Sequence, residues 1–194
     1  TFLKLFPPSR PLELVGIDLL GPLPKTRRGN LYLLVITDRF SKWTRAIAMS
    51  ETTAPDVAIR FFADWCSIFG APLMLLSDNG PQFRARMFQS FCLALGIKQL
   101  FTTPYHPNTN GQTERFNRTL LDMVIHFFAD HQTDWDLVSP FANLAYNQTV
   151  HSSTKLAPME LIIPSATRNM ILANTESFDV PKNTSSLAYR QAVV

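Results

Sequence analysis

Short apolar runs, broken by proline, glycine or charged residues, dominate the first fifty positions of the chain. Each run is shorter than a typical helix, and β-branched residues are common in them, which favours strands. The runs predict strands at 14–20, 31–38 and 42–49, joined by short connections. Strands joined in this way are expected to pair as an antiparallel meander.

The spacing of the apolar residues changes at residue 53. Val57, Phe61 and Trp65 recur every four positions, as on one face of a helix. Thr53 is suited to cap this helix and Gly70 to end it. The pattern therefore predicts a helix that occupies most of residues 53–70.

Predicted strands and helices alternate after this helix. The sequence predicts a strand at 73–80, a helix over RMFQSFCLALG, a strand over IKQLFTT, a long helix from about residue 110, a helix over TDWDLVSPFANLAYNQT that is kinked or started at Pro140, and a short helix over APMELIIP. A strand, a helix and a strand in this order form a parallel pair. The expected fold is an α/β layered domain, with a mixed five-stranded sheet (three antiparallel strands, then two parallel ones) flanked by helices.

The pattern also suggests domain boundaries. Residues 1–10 are expected to be an N-terminal extension and residues 11–164 the folded core. Residues 165–194 are rich in Ser, Thr and Asn and lose all periodicity, so a tail or linker of low order is expected there.

Composition excludes several classes of protein. The 194 residues are 46% hydrophobic and 17% charged, which is enough apolar material for one domain with a real core. No run of 18 apolar residues occurs, so no membrane partner is predicted. Cys66 and Cys92 are too few for a zinc cluster of the CxxC type, and two buried free thiols are expected instead.

The net charge of +3 conceals an asymmetry along the chain. Residues 1–118 carry 14 Lys/Arg and 8 Asp/Glu, whereas residues 119–194 carry 4 and 7. A basic front part suggests an anionic partner, most often nucleic acid. Candidate phosphate contacts are Lys25, Arg27, Arg28, Arg84 and Arg86, although any one of these is more often a solvated charge.

Three acids, Asp18, Asp78 and Glu114, are candidates for a metal site. Asp18 interrupts an apolar strand, Asp78 ends the fourth predicted strand, and Glu114 lies in the first turns of the long helix. The first and fourth strands would be neighbours, and a helix N-terminus can approach their ends. Carboxylates gathered in this way repel one another unless a divalent cation neutralises them, and all-oxygen ligands favour Mg²⁺ or Mn²⁺.

Each acid also has a structural explanation. Glu114 fits a helix start that Thr109 and Gln112 already favour as a capping box. Asp78 precedes Asn-Gly and resembles an ordinary turn acid. Asp18 is the hardest to explain structurally, because strand interiors disfavour Asp. Asp38, the main rival acid, is interpreted as structural.

A family resemblance favours the functional interpretation. The stretches VGIDLLGPLP, LLVITDRFSKW, LLSDNGPQF, TTPYHPNTNGQTERFNRTL and LAYNQTVHSSTKLAPMEL resemble the catalytic core of retroviral-type integrases, most closely those of Ty3/gypsy LTR retrotransposons. That family carries two Asp and a Glu, with 35 residues between the second Asp and the Glu, as between Asp78 and Glu114 here. The resemblance spans residues 10–164 and implies an RNase H-like fold.

The resemblance also implies a chemistry and a set of roles. It implies a two-metal polynucleotidyl transferase in which Asp18 bridges both ions, Asp78 holds one and Glu114 the other. Such an enzyme cuts DNA near a 3′ end and joins that end to target DNA. Double-stranded DNA, as element ends and as target, is therefore the expected partner, and homo-oligomers and a nuclear location are expected as well. The expected DNA contacts are Asn110, Arg118, Tyr105, Asn79 and Arg84.

Two alternatives to an active integrase core remain open. No paired His and Cys of an N-terminal zinc module are recognised, so the chain is expected to be a core alone, without zinc. A core of this kind is compatible with a domesticated or truncated integrase-derived protein that binds nucleic acid without catalysis. An RNase H-type nuclease on the same fold is the other alternative.

Overall fold

The computed structural model describes residues 8–102 and 133–163. In chain order, the elements in these two ranges are β1 (Leu14–Leu20), β2 (Tyr32–Asp38), β3 (Thr44–Met49), α1 (Ala54–Phe61), a π-helical turn (Phe62–Cys66), α2 (Ser67–Phe69), β4 (Met74–Ser77), α3 (Pro81–Arg84), α4 (Arg86–Ala94), β5 (Lys98–Phe101), α5 (Trp135–Gln148) and α6 (Pro158–Ile162). The predicted extension lies partly outside these ranges, and the predicted tail and the long helix from residue 110 lie outside them.

The five strands form one mixed sheet in the order β3-β2-β1-β4-β5. β1 pairs antiparallel with β2, and β2 with β3, which confirms the predicted meander. β4 lies parallel to β1 on one side and to β5 on the other. The prediction that the first and fourth strands are neighbours is therefore correct.

Helices cover the two faces of the sheet differently. On one face, α1, the π-helical turn and α4 bury a large aromatic and aliphatic cluster around Phe61, Trp65 and Phe88. On the other face, α5 packs over β3 and buries Trp135 and Tyr146. The alternation of side chains along β1 sends Val15 and Ile17 into the first cluster, so the even-numbered residues of β1 lie on the second face.

The helix predicted over residues 53–70 is interrupted. Thr53 caps α1 and accepts from the Asp56 amide, and Gly70 ends the segment with φ 84°, as expected. Between α1 and α2, however, five residues form a π-helical turn. This turn carries Asp64, whose carboxylate lies 3.5 Å from the guanidinium groups of both Arg45 on β3 and Arg60 on α1.

Helix α5 begins well before Pro140 and continues through it, so a start at Pro140 is wrong. Proline has no amide hydrogen to donate to the carbonyl of Asp136, four residues earlier. The Ser139 hydroxyl donates to that carbonyl instead, at 3.3 Å. The missing backbone hydrogen bond is thus replaced locally and the helix continues.

Two asparagines attach α5 to the outer edge of β3, the first strand in the sheet order. The side-chain amide of Asn147 donates to and accepts from the backbone of Thr44, at 2.8 and 2.9 Å. Asn143 makes the same pair of bonds with Ala46, at 3.0 and 2.8 Å. One helical turn rises about 5.4 Å and two strand residues span about 6.6 Å, so asparagines about one turn apart on α5 can reach alternate residues of β3. Their amide groups make the hydrogen bonds that a sixth strand would make at this edge.

Both cysteines are buried free thiols, as the sequence predicts. Burial raises the pKa of Cys66 to about 11 and, with a smaller effect of Cys66, that of Cys92 to about 12. Both thiols are therefore expected to stay protonated near neutral pH. Within residues 8–102 and 133–163, no helix combines the length and the apolar character needed to cross a bilayer.

Candidate active site at the carboxyl ends of the parallel strands

Asp18 lies in the second half of β1, opposite Val35 of β2. Its side chain is on the sheet face that α1 and α4 do not cover, and it is partly buried. One carboxylate oxygen accepts from the backbone amide of Leu19, at 2.9 Å. Asparagine preserves that bond, so the site can be tested without dismantling the strand.

Asp78 follows directly after β4 and is exposed. Its Oδ1 accepts from the Gly80 amide at 2.9 Å, which forms an Asx-type turn and uses one carboxylate oxygen. A Cβ on Gly80 would lie 2.9 Å from the same oxygen, so a side chain at position 80 would crowd the carboxylate. The turn therefore sets the direction of Asp78.

The register of the sheet brings these two acids to the same level. The last paired residues of β1 and β4 are Gly16 and Leu76, and each acid lies two residues further along its strand. Neighbouring strands are about 4.8 Å apart, so from this register we expect Asp18 and Asp78 to lie near each other at the carboxyl ends of two parallel strands. Such edges are where open α/β sheets place their ligand sites.

Asn79 and Arg84, both predicted DNA contacts, make structural contacts beside this pair. The Asn79 amide donates to the Thr102 carbonyl at 2.8 Å, which ties the end of β4 to the end of β5. Arg84 donates to Asn79 at 3.2 Å and lies over the ring of Phe101, 5.1 Å from its centre. Both side chains are exposed, and their contact with DNA stays a prediction.

The third predicted acid, Glu114, lies outside the described residues. The same holds for the predicted DNA contacts Tyr105, Asn110 and Arg118. In the described ranges, no three acids, histidines or cysteines are grouped as metal ligands. Of the three predicted acids, the described residues include Asp18 and Asp78, which lie on or directly after two paired strands.

Asp38, the rival acid, is buried at the other end of the sheet. It pairs in register with Val15, near the start of β1, and its side chain is fully buried. Oδ1 accepts from the amide of Leu12 at 3.0 Å, and Oδ2 from the amide and the hydroxyl of Ser41 at 2.9 and 2.6 Å. These bonds organise the β2–β3 turn, as expected of a structural acid.

Asp136 on α5 makes contacts with the β1–β2 connection that the sequence did not predict. Its carboxylate accepts from Asn30 and Thr26 in the β1–β2 connection, more than a hundred residues earlier, at 2.7 and 3.2 Å. It also lies 3.7 Å from the guanidinium of Arg28. An acid in the first turn of a helix is expected from the helix dipole alone, so nothing local marks this long-range role.

Comparison with known proteins gives one consistent result. The family model described as Integrase core domain matches residues 8–107. The Transposon Tf2-3 polyprotein of Schizosaccharomyces pombe is 31% identical over 162 residues, which is 82% of this chain but only 12% of that polyprotein. The chain thus corresponds to a small part of the curated relative.

Solved structures with the same architecture come from retroviral integrases. A chain of the simian T-cell lymphotropic virus intasome in complex with PP2A regulatory subunit B56 gamma has a TM-score of 0.70 at 22% identity, with 81% of this chain and 56% of that one covered. The HTLV-2 integrase catalytic core domain in complex with magnesium, in its trimeric form, has a TM-score of 0.64 at 23% identity, with 78% and 97% covered. These likenesses confirm the RNase H-like fold.

Proposed function

Because the chain belongs to the integrase core domain family, we propose that it is the catalytic core of a transposable-element integrase, a metal-dependent polynucleotidyl transferase. It would cut DNA near 3′ ends and join those ends to target DNA. The observation that carries this proposal is the parallel pairing of β1 with β4, whose register ends at Gly16 and Leu76, two residues before Asp18 and Asp78. Glu114, at the family's spacing from Asp78, is proposed as the third acid.

The donor chemistry fits Mg²⁺ or Mn²⁺. Asp18 and Asp78 offer oxygen ligands only, which suits these hard cations. Each acid accepts from a backbone amide through one oxygen, and an ionised carboxylate has about four lone-pair sites in all. Bound by these acids together with Glu114, two such ions would stabilise the attacking and leaving oxygens of an in-line phosphoryl displacement.

Calorimetric titration with Mn²⁺ tests the metal site directly. The wild-type chain is expected to bind the ion, and Asp18→Asn to weaken that binding at least about tenfold, because even outer-shell changes at metal sites cost 10–100-fold. Asp56→Asn is the matched control, since Asp56 is a partly exposed aspartate in the first turn of α1, which packs on the opposite face. Equal affinity in wild type and Asp18→Asn would instead favour a non-catalytic nucleic-acid-binding protein.

A second proposal concerns assembly. The HTLV-2 core is described in a trimeric and a dimeric form, and we infer that this chain also self-associates. Helix α5 offers a surface for it: Leu137, Phe141 and Leu144 follow one another at helical spacing and are 53%, 69% and 47% exposed. Contiguous exposed apolar residues of this kind are typical of interaction surfaces.

Sedimentation velocity tests this surface. Phe141→Glu is expected to shift the wild-type oligomer to the monomer, because a charge in an apolar interface loses its solvation. Leu93→Glu on α4 is the control, since Leu93 is 80% exposed on a different helix. A wild type that is monomeric at every concentration, or an oligomer unchanged by Phe141→Glu, would contradict the proposal.

A further inference from the structure

The connection between β1 and β2 closes in a tight turn with two arginines at its tip. The Gly29 amide donates to the Thr26 carbonyl at 2.9 Å, so Arg27 and Arg28 occupy the two central positions of the turn. Gly29 itself has φ 86°, a left-handed conformation that suits glycine at the end of such a loop. Both arginines therefore lie at the tip of the connection, and both are exposed.

A lysine joins the two arginines on this turn. Lys25 is exposed, and its Cε lies 4.0 Å from the point where a Cβ on Gly29 would be. We name Lys25, Arg27 and Arg28 the basic tip. These three cations outnumber the two carboxylates beside them, Asp134 and Asp136, so the local charge stays positive and attracts a polyanion.

Helix α5 holds the loop below the basic tip. Asp136 accepts from Asn30 and Thr26 on the two arms of the loop, and the indole of the buried Trp135 donates to the Pro24 carbonyl at 2.7 Å. Since the loop is anchored before any ligand arrives, little conformational entropy is lost when a ligand binds there.

The two arginines have different surroundings. Arg28 lies 3.7 Å from Asp136, whose side chain is only 4% exposed, so removing Arg28 would leave a buried carboxylate without its cation. Arg27 lies 3.7 Å from Asp134, and the two side chains are 78% and 29% exposed. Exposed pairs contribute about 0–1 kcal/mol, so Arg27 can exchange Asp134 for a phosphate at little cost.

The position of the basic tip relates it to the candidate active site. The loop continues from the carboxyl end of β1, which is the end that carries Asp18. Arg27 lies nine residues after Asp18. At about 3.3 Å per residue, the two are at most about 30 Å apart, a distance that about nine base pairs of B-DNA span at 3.4 Å each.

We propose that Lys25 and Arg27 bind backbone phosphates of the duplex DNA whose phosphodiester lies at Asp18 and Asp78, several base pairs from the reacting position. Arg28 keeps its ion pair with Asp136 and stabilises the turn. This inference rests on the proposed function, since it takes DNA as the substrate. Contacts of this kind set the orientation of a duplex and carry no sequence preference.

The salt dependence of DNA binding tests this inference. Binding of the 194-residue chain to a 30-bp duplex of arbitrary sequence is measured in EDTA at several salt concentrations. Each phosphate contact contributes about 0.9 to the slope of log K against log salt, so Arg27→Gln should lower the magnitude of the slope by about 0.9 and Lys25→Gln/Arg27→Gln by about 1.8. Arg60→Gln is the matched control, because Arg60 is a half-exposed arginine paired with Asp64 on α1.

The outcomes separate this inference from the proposed function. The basic tip is not a phosphate contact if Lys25→Gln/Arg27→Gln has the same slope of log K against log salt as the wild type. The same conclusion follows if Arg60→Gln lowers that slope as much as the basic-tip variants do. Both results hold even if the wild type joins DNA ends with Mg²⁺. A reduced slope without metal-dependent joining keeps the contact and removes the catalytic proposal. Absence of duplex binding by the wild type overturns the inference. Thermal melting of each variant establishes that these exposed changes leave the fold intact.

Discussion

Asp78→Asn is expected to lower metal-dependent joining of DNA ends by at least about 10³-fold, which is about 4 kcal/mol of transition-state stabilisation. Asparagine has nearly the same shape and can still accept the Gly80 amide bond that directs this side chain. The fold is therefore retained and only the anionic metal ligand is lost. The measurement is the rate of strand transfer, or of its reversal on branched DNA, with Mg²⁺ and with Mn²⁺.

Asp56→Asn serves again as the control and should keep wild-type activity. Equal rates for wild type and Asp78→Asn would contradict the assignment of Asp78 to the active site. A wild type that joins no DNA with either metal would contradict the proposal that this core is catalytic. Cleavage of an RNA–DNA hybrid by the wild type, absent in Asp78→Asn, would instead point to an RNase H-type nuclease.

The sheet could be predicted from the sequence because its signals are local. β1 begins and ends at the predicted residues, since proline and glycine border an apolar run whose length suits a strand. The parallel pairing of β4 and β5 follows from the helix between them. Asp18 is a candidate because a strand interior disfavours a carboxylate, and the strand that precedes Asp78 pairs with the strand that carries Asp18.

The polar anchors of α5 could not be predicted, because their partners are distant in the sequence. Asn143 and Asn147 look like ordinary helix residues, yet they bind the edge of β3, which is 97 and 103 residues away in the sequence. Asp136 looks like a first-turn acid but holds the β1–β2 loop. Hydrophobic periodicity reveals which face of a helix is buried, not which backbone groups its polar side chains will meet.

The interruption of the helix predicted over residues 53–70 could not be predicted from the sequence either. The apolar spacing over residues 53–70 fits a continuous helix, and the N-cap and the final glycine are both correct. The π-helical turn carries Asp64, which pairs with Arg45 on β3. A π-helical turn differs from the α-helix only in which backbone groups bond, and the spacing of the apolar residues does not report that difference.

Asp38→Ala is expected to lower the free energy of unfolding by about 4 kcal/mol, the largest stability effect predicted for this chain. Asp38 is fully buried, and its carboxylate accepts from the amides of Leu12 and Ser41 and from the Ser41 hydroxyl. Alanine removes the acceptor and leaves these donors without it. Each buried unsatisfied group costs about 1–3 kcal/mol.

Urea unfolding of Asp38→Ala, Asp38→Asn and Glu51→Ala measures this effect. Asparagine keeps one acceptor oxygen and should lie between alanine and wild type, whereas Glu51 is exposed and its loss should cost less than about 0.5 kcal/mol. An Asp38→Ala protein within about 1 kcal/mol of wild type would show that the β2–β3 turn does not depend on this carboxylate.

The Asp38→Asn variant also tests whether Asp38 is a metal ligand. Asp38 lies opposite Val15, three residues or about 10 Å along β1 from Asp18. Asp38→Asn that remains folded should therefore bind Mn²⁺ like the wild type, and a loss of binding would return Asp38 to the list of candidate metal ligands.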